Sequence, residues 1–194
     1  MKYQFNKTEL QGLNKQLKVR INALPTLKNK EAALRAEIKK YKGVLRKTKK
    51  QLEDQNREFA TVKKLYGEFK TDLVEVIKVH ISEMKIAGVK IPVYENVDFK
   101  VKDFSVFNAP SWFLGGIDMV KKSVMLKIRL KLEQRRIDVL ERARKKTTQK
   151  VNLYEKVQIP AFEEAIIKIK RFLDDIENLD KAGQKIVKKR LAQI

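Results

Sequence analysis

Among the side chains that most often carry catalysis, the 194 residues include a single histidine, His80, and no cysteine. A His/Cys metal centre and a disulfide scaffold are both excluded by those counts. His80 falls at the end of an apolar stripe and reads as a core or cap histidine rather than a general base. The carboxylate pairs Glu163-Glu164 and Asp174-Asp175 are sequence neighbours on helical faces. Acid–base catalysis needs carboxylates that converge in a pocket, so these pairs read as solvated surface. None of the seven glycines supplies the Gly-x4-Gly-Lys spacing of a phosphate-binding loop. The sequence therefore assigns no catalytic, cofactor-binding or metal-binding residue, and the chain is expected to be non-enzymatic and free of cofactors.

Positive charge is the remaining chemical feature: 45 Lys and Arg face 24 Asp and Glu, a formal net charge of +21. Runs such as Lys39-Lys40, Lys49-Lys50, Arg135-Arg136, Arg144-Lys145-Lys146 and Lys188-Lys189-Arg190 suit phosphates or an acidic protein. One reading is thus a basic coiled-coil scaffold that binds nucleic acid or another acidic partner. No stacking aromatic series supports it, because Tyr41, Phe59, Tyr66 and Phe69 fall on a helical core seam.

The elements that carry this charge divide the chain in three. Residues 1–80 hold 20 basic and 9 acidic side chains, residues 81–117 hold 4 of each, and residues 118–194 hold 21 and 11. Two basic arms flank a neutral middle containing the only Trp, Trp112. In the first arm a strict heptad frame starts at Leu10, with a positions Leu17, Leu24, Ile38, Leu45 and Leu52 and d positions Leu13, Leu27, Leu34, Tyr41 and Val62. Of the 20 a and d positions through Val76, sixteen are apolar or Tyr. So long a register is the mark of a coiled coil. Thr8 and Gln11 have the spacing of a capping box, which predicts a helix from about residue 8 to 80.

A helix of that length must lay its stripe against another, and the second arm supplies it. Leu126, Leu130, Ile137, Leu140, Val151 and Tyr154 keep one frame, and Phe162, Ile166, Ile169, Leu173 and Ile176 keep another, with a slip near Pro160. Leu140, Val151, Phe162 and Leu173 recur at an 11-residue spacing that relaxes left-handed supercoiling. Pro25 and Pro160 sit inside helical patterns, where a proline removes a hydrogen bond and crowds the preceding turn. Both are expected to bend their helices, with Pro25 opposite roughly residue 169.

The middle changes period. Residues 89–94 and 97–104 alternate with period two and predict short strands, with Glu95-Asn96 as a turn. Phe107, Trp112 and Phe113 precede Gly115-Gly116, a flexible pair ahead of the second helix. The expected architecture is all-α dominated: a long antiparallel two-helix coiled coil (1–80 and 118–194) with a small β-hairpin-containing head (81–117).

The C-terminal arm, Lys150-Val151-Asn152-Leu153-Tyr154-Glu155-Lys156-Val157-Gln158-Ile159-Pro160 followed by Glu163, Ile166, Ile169 and Leu173-Asp174-Asp175, resembles the D-subunit family of V-type and archaeal-type rotary ATPases. Lys7-Thr8-Glu9-Leu10 and Leu27-Lys28-Asn29-Lys30 resemble that family's N-terminal elements. The chain departs from the family pattern at Gln149-Lys150, Glu31 and Pro25. The resemblance implies the central-stalk rotor shaft, coupling ATP hydrolysis or synthesis to rotation and ion translocation. It further implies a ring of A and B subunits, the F subunit of the central stalk and a funnel-like subunit above the membrane ring as partners, and no nucleic acid. On this expectation Phe107, Trp112 and Phe113 contact the F subunit or pack on the shaft, and Lys188, Lys189 and Arg190 meet the wall of the ring.

The longest uncharged stretch, 104–117, is 14 residues, short of the roughly 20 a spanning helix needs. The start, Met-Lys-Tyr-Gln-Phe-Asn-Lys, lacks the apolar core of a signal peptide. The expected location is cytoplasmic, peripheral to the membrane.

Overall fold

The computed structural model describes residues 3–62, 73–103 and 112–191, with backbone alone at 59–62. Helix α1 (Lys7–Val62) is followed by strands β1 (Val74–Ile86) and β2 (Val89–Val101) and by helix α2 (Phe113–Leu153). A π-helical segment (Tyr154–Gln158) then leads into α3 (Ile159–Leu191). The helix–hairpin–helix order agrees with the expected fold class. Two compact units divide it: Met1–Glu31 with Lys146–Ile194, and Ala32–Lys145.

The heptad frame is the burial pattern of α1. Every a and d position from Leu10 to Gln55 is buried or half-buried, whereas flanking Lys and Arg are mostly exposed. The helix is entered through Asn6, whose Oδ1 accepts the Glu9 backbone N–H at 2.6 Å, rather than through the expected Thr8 box. An amide side chain three residues before Glu9 satisfies the same orphan donor, so Thr8 lies already inside the first turn.

In the first unit, Leu13 packs with Phe162, Ala165, Ile166 and Ile169. Arg20 bonds Gln158, Lys28 bonds Glu155, and Thr148 bonds Glu31. Rising numbers on one strand meet falling numbers on the other, so the pairing is antiparallel. In the second unit Lys42 pairs with Glu141 and Gln55 bonds the Met119 carbonyl, in the same sense.

The expected helix to residue 80 is corrected at its end, because Val74 opens a 13-residue strand. Of the apolar residues Val74, Val76, Val79 and Ile81 only Val76 keeps the heptad frame, whose next a position is His80, and all four are β-branched, which suits a strand. β1 pairs with β2 around Ala87-Gly88, and both turn residues have positive φ, 48° and 76°. That is the backbone of a type I′ hairpin turn. The two predicted strands are one strand, β2, and Glu95-Asn96 is not a turn. Ile81 faces Tyr94 and His80 faces Asn96, leaving Glu95 as a bulge residue that absorbs the break in alternation. Likewise Gly115 and Gly116 lie within α2, not ahead of it. Phe107 and residues 63–72 lie outside the described residues.

One face of the hairpin closes the second unit. Ile91 joins Leu34, Ile38, Tyr41, Ile137 and Leu140 in a core that Ile86 and Val89 border. α2 thus has two partners, α1 and the hairpin, which is why its buried residues include Leu132, Glu133 and Arg136 beside Ile137 and Leu140.

Candidate functional site

The side chains that the fold brings together build contacts between elements. In the first unit the centre is Arg20, a charged residue in a d position of the seam. Its Nε donates to Gln158 Oε1 at 2.7 Å, an Nη donates to the Gln16 carbonyl at 3.0 Å, and the guanidinium lies 4.5 Å from the Phe162 ring centroid and 5.9 Å from that of Tyr154. Tyr154, Gln158 and Phe162 follow one another at four-residue spacing and so share the helical face turned to Arg20, along and just after the π segment. The Ile159 N–H donates to the Tyr154 carbonyl, an i to i−5 bond. Pro160 follows at once and cannot donate, so a widened turn before it leaves room for its ring.

The frame slip expected near Pro160 therefore has its physical form in residues 154–158. Pro25 remains inside α1. The bonds on either side of it, from Arg20 and Lys28, end on Gln158 and Glu155. Pro25 is thus opposite the π segment rather than the expected residue 169; the expected register assumed helix through residue 80.

In the second unit the corresponding anchor is Arg136. Its Nε donates to the Pro92 carbonyl of β2 at 3.0 Å, and its guanidinium stacks 4.6 Å from the Tyr41 ring centroid. Pro92 itself has no N–H, and its carbonyl accepts from this side chain of α2. Near the base of the hairpin, Trp112 and Phe113 pack on Leu73 and Ile117 with rings 5.7 Å apart. These two expected contact residues are half-buried. β1 also exposes Ile77, Ile81 and Met84.

His80 lies on β1, half-exposed, 2.7 Å from Asp98. Glu163, Glu164, Asp174 and Asp175 are exposed, as are Lys188, Lys189 and Arg190 near the end of α3. Arg35, Lys39, Lys42, Arg46 and Arg144 line an open groove with Glu141. Among the described residues no group of three His, Cys, Asp or Glu is placed to hold a metal, and no helix is long and apolar enough to cross a membrane. Arg20 and Arg136 were not singled out by sequence. Arg20 carried a signal, a cation inside an apolar seam; Arg136 lay in a basic run and carried none.

Comparison with known proteins gives one answer across the chain. The family model for the D subunit of ATP synthase matches residues 9–189. A V-type ATP synthase D subunit of Borreliella burgdorferi is 28% identical over 193 residues, covering 98% of this chain and 95% of the relative. That of Chlamydia trachomatis serovar L2 is 32% identical over 177 residues, covering 88% and 86%. A Chlamydia pneumoniae relative of the same description is 29% identical over 185 residues, covering 92% and 88%. With the match running from the start of α1 to the end of α3 and through the hairpin between them, the chain belongs to the ATP synthase D-subunit family.

Proposed function

We propose that this chain is the central rotor shaft of a V-type ATP synthase, coupling nucleotide turnover in a surrounding ring to rotation and ion transport. The family match over residues 9–189 carries the reading. It leaves the nucleic-acid scaffold without support and gives the +21 charge a different use. Hydrated Lys and Arg on a helical surface face a protein wall without locking to it, as an element that turns must.

The shaft is mechanical on this reading, and ATP chemistry belongs to the A subunits. A shaft whose two faces differ contacts successive A/B interfaces unequally and biases each toward an open or closed state. Pro25 and the π segment with Pro160 supply such asymmetry as a shared bend in the first unit. Hydrogen exchange around both prolines as slow as in neighbouring turns would count against the bend. Lys188, Lys189 and Arg190 meet the ring wall; neutralising them with torque and assembly unchanged would remove them from the mechanism.

The F subunit docks on the hairpin side of the second unit, where Trp112 and Phe113 pack near the hairpin base and Ile77 and Ile81 are exposed on β1. The funnel-like subunit seats the shaft on the membrane ring, on the cytoplasmic face. Co-expression with the A, B and F subunits tests the whole reading: all three are expected to co-purify with the chain. Loss of F alone on Ile81→Asp or Trp112→Ala, in a variant of unchanged helicity, is expected for the docking face. Failure of A and B to co-purify with the intact chain would refute the rotor assignment.

A further inference from the structure

Positive charge is concentrated on one length of α1. Between Ala32 and Leu52 the helix carries eight Lys and Arg against a single acid, Glu37. At 100° per residue Arg35, Lys39, Lys42 and Arg46 fall within about 60° of one another, and Glu37 lies on the opposite face. Along the axis these four rise in steps of roughly 6, 4.5 and 6 Å. Like charges at i,i+3 and i,i+4 repel and weaken a helix, and this stripe sets three such pairs in a row.

The four cations line an open groove of about 580 Å³ within the second unit, and α2 adds Arg144 and Glu141 to its wall. Glu141 is the one acid among the described residues that line it, and Lys42 takes it at 2.6 Å. Among the described residues, Arg35, Lys39 and Arg46 have no ion-pair partner. Gly43 also lines the groove, where an added Cβ would meet nothing within 4 Å. A glycine inside a helix weakens it, and here it keeps the space beside Lys42 and Arg46 clear.

The lining selects the chemistry of the occupant. Its apolar residue, Ile38, is already buried in the core with Leu34 and Tyr41. No aromatic ring is among the described lining residues, and Tyr41 is covered by Arg136. A docked protein segment draws affinity from buried apolar or aromatic anchors and a nucleobase from stacking, and neither finds a surface here. Linked phosphates need closely spaced cations, and guanidinium forks hold them bidentately.

We propose that this groove binds a linear oligophosphate, tripolyphosphate or longer, either free or as the phosphate chain of a nucleoside triphosphate. Arg35 and Arg46 hold the two ends of the chain, Lys39 and Lys42 neutralise its middle, and Arg144 closes on it from α2. Binding relieves the repulsion along α1 and so stabilises the second unit. Lys188, Lys189 and Arg190 belong to the first unit, and the site does not rest on the rotor reading.

Isothermal titration of the full-length chain at physiological salt tests it, with tripolyphosphate, ATP, GTP and a hexaglutamate peptide as probes. Saturable binding of tripolyphosphate is expected, with ATP and GTP competing equally and the peptide weaker by about tenfold or more. Long-chain polyphosphate that displaces ATP supports the free polymer as the source, and ATP that displaces the polymer supports the nucleotide. Arg35→Gln with Arg46→Gln is expected to weaken tripolyphosphate by about tenfold or more. Lys188→Gln with Lys189→Gln removes the same charge from α3 and is expected to leave the affinity unchanged. Gly43→Leu keeps every charge, fills the groove and is expected to weaken binding severalfold; each variant is checked for wild-type helicity by circular dichroism. Equal loss in the two double variants, or wild-type affinity in Gly43→Leu, reduces the effect to net charge and overturns the site. So does the absence of saturable binding, or a peptide that binds as tightly as tripolyphosphate.

Discussion

Replacing Arg136 with Met removes the guanidinium while keeping an unbranched stem of similar length, and so isolates what the charged head does at the hairpin. Arg136 is 9% exposed, donates to the Pro92 carbonyl at 3.0 Å and covers Tyr41 at 4.6 Å. A hydrogen bond to a charged donor contributes roughly 1.5–3 kcal/mol. A desolvated cation–π contact adds about 1–2 kcal/mol. Regained freedom of the Met and partial hydration of the Pro92 carbonyl offset part of this, leaving an expected loss of about 2–4 kcal/mol. Lys at this position keeps the charge but not the planar fork, and about half the loss is expected. The loss should be concentrated in the second unit. Hydrogen exchange of β1 and β2 amides reads it locally, and urea unfolding reads it globally. A double-mutant cycle with Tyr41→Leu should give a coupling of about 0.5–2 kcal/mol. Hairpin amides that exchange as in the wild type, with coupling near zero, would refute the view that Arg136 fastens the hairpin to the helices.

Three further outcomes follow from the same geometry. Ala87 holds φ 48°, a left-handed conformation that costs a residue with a Cβ about 1–2 kcal/mol, so Ala87→Asn, giving an Asn-Gly turn, should stabilise the hairpin by about 1 kcal/mol in urea unfolding. Ile169 is fully buried against Leu13 and Phe162, and Ile169→Ala should cost about 2–5 kcal/mol and speed exchange in the first unit while leaving the hairpin unchanged. Arg20→Met should cost about 1–3 kcal/mol through the lost Gln158 bond and ring contacts, and should raise exchange rates most at 154–159, which amide-resolved exchange can distinguish from a global effect.

The two-arm architecture was legible because the information is periodic: sixteen a and d positions in one register specify a seam whatever the neighbouring loops do. The same regularity misled at its end. Leu73 and Val76 kept the heptad count, but Val74, Val76, Val79 and Ile81 are spaced as a strand with one break in its alternation, and one apolar d position does not decide against it. The hairpin turn was hidden because Ala87 is an unusual occupant of a left-handed position, while Glu95-Asn96 advertised a turn and supplied a bulge. Pro160 pointed to a disturbed helix, and the π segment directly before it is the disturbance. Contacts that depend on tertiary pairing were harder to read. Nothing near Arg136 distinguishes it from Arg135, yet one is buried on the hairpin and the other is exposed.

On the proposed reading this chain turns inside a ring of A and B subunits. The chain lacks cysteine, so Lys85→Cys at an exposed position of β1 accepts a single probe. With A, B and F subunits assembled around the labelled chain and the ring fixed to a surface, single-molecule recording during ATP turnover should show the probe rotating in one direction with discrete dwells, one for each catalytic interface that an asymmetric shaft biases in sequence. A probe that stays fixed to the ring while ATP is hydrolysed, or a ring that turns over ATP equally well without the chain, would contradict the account.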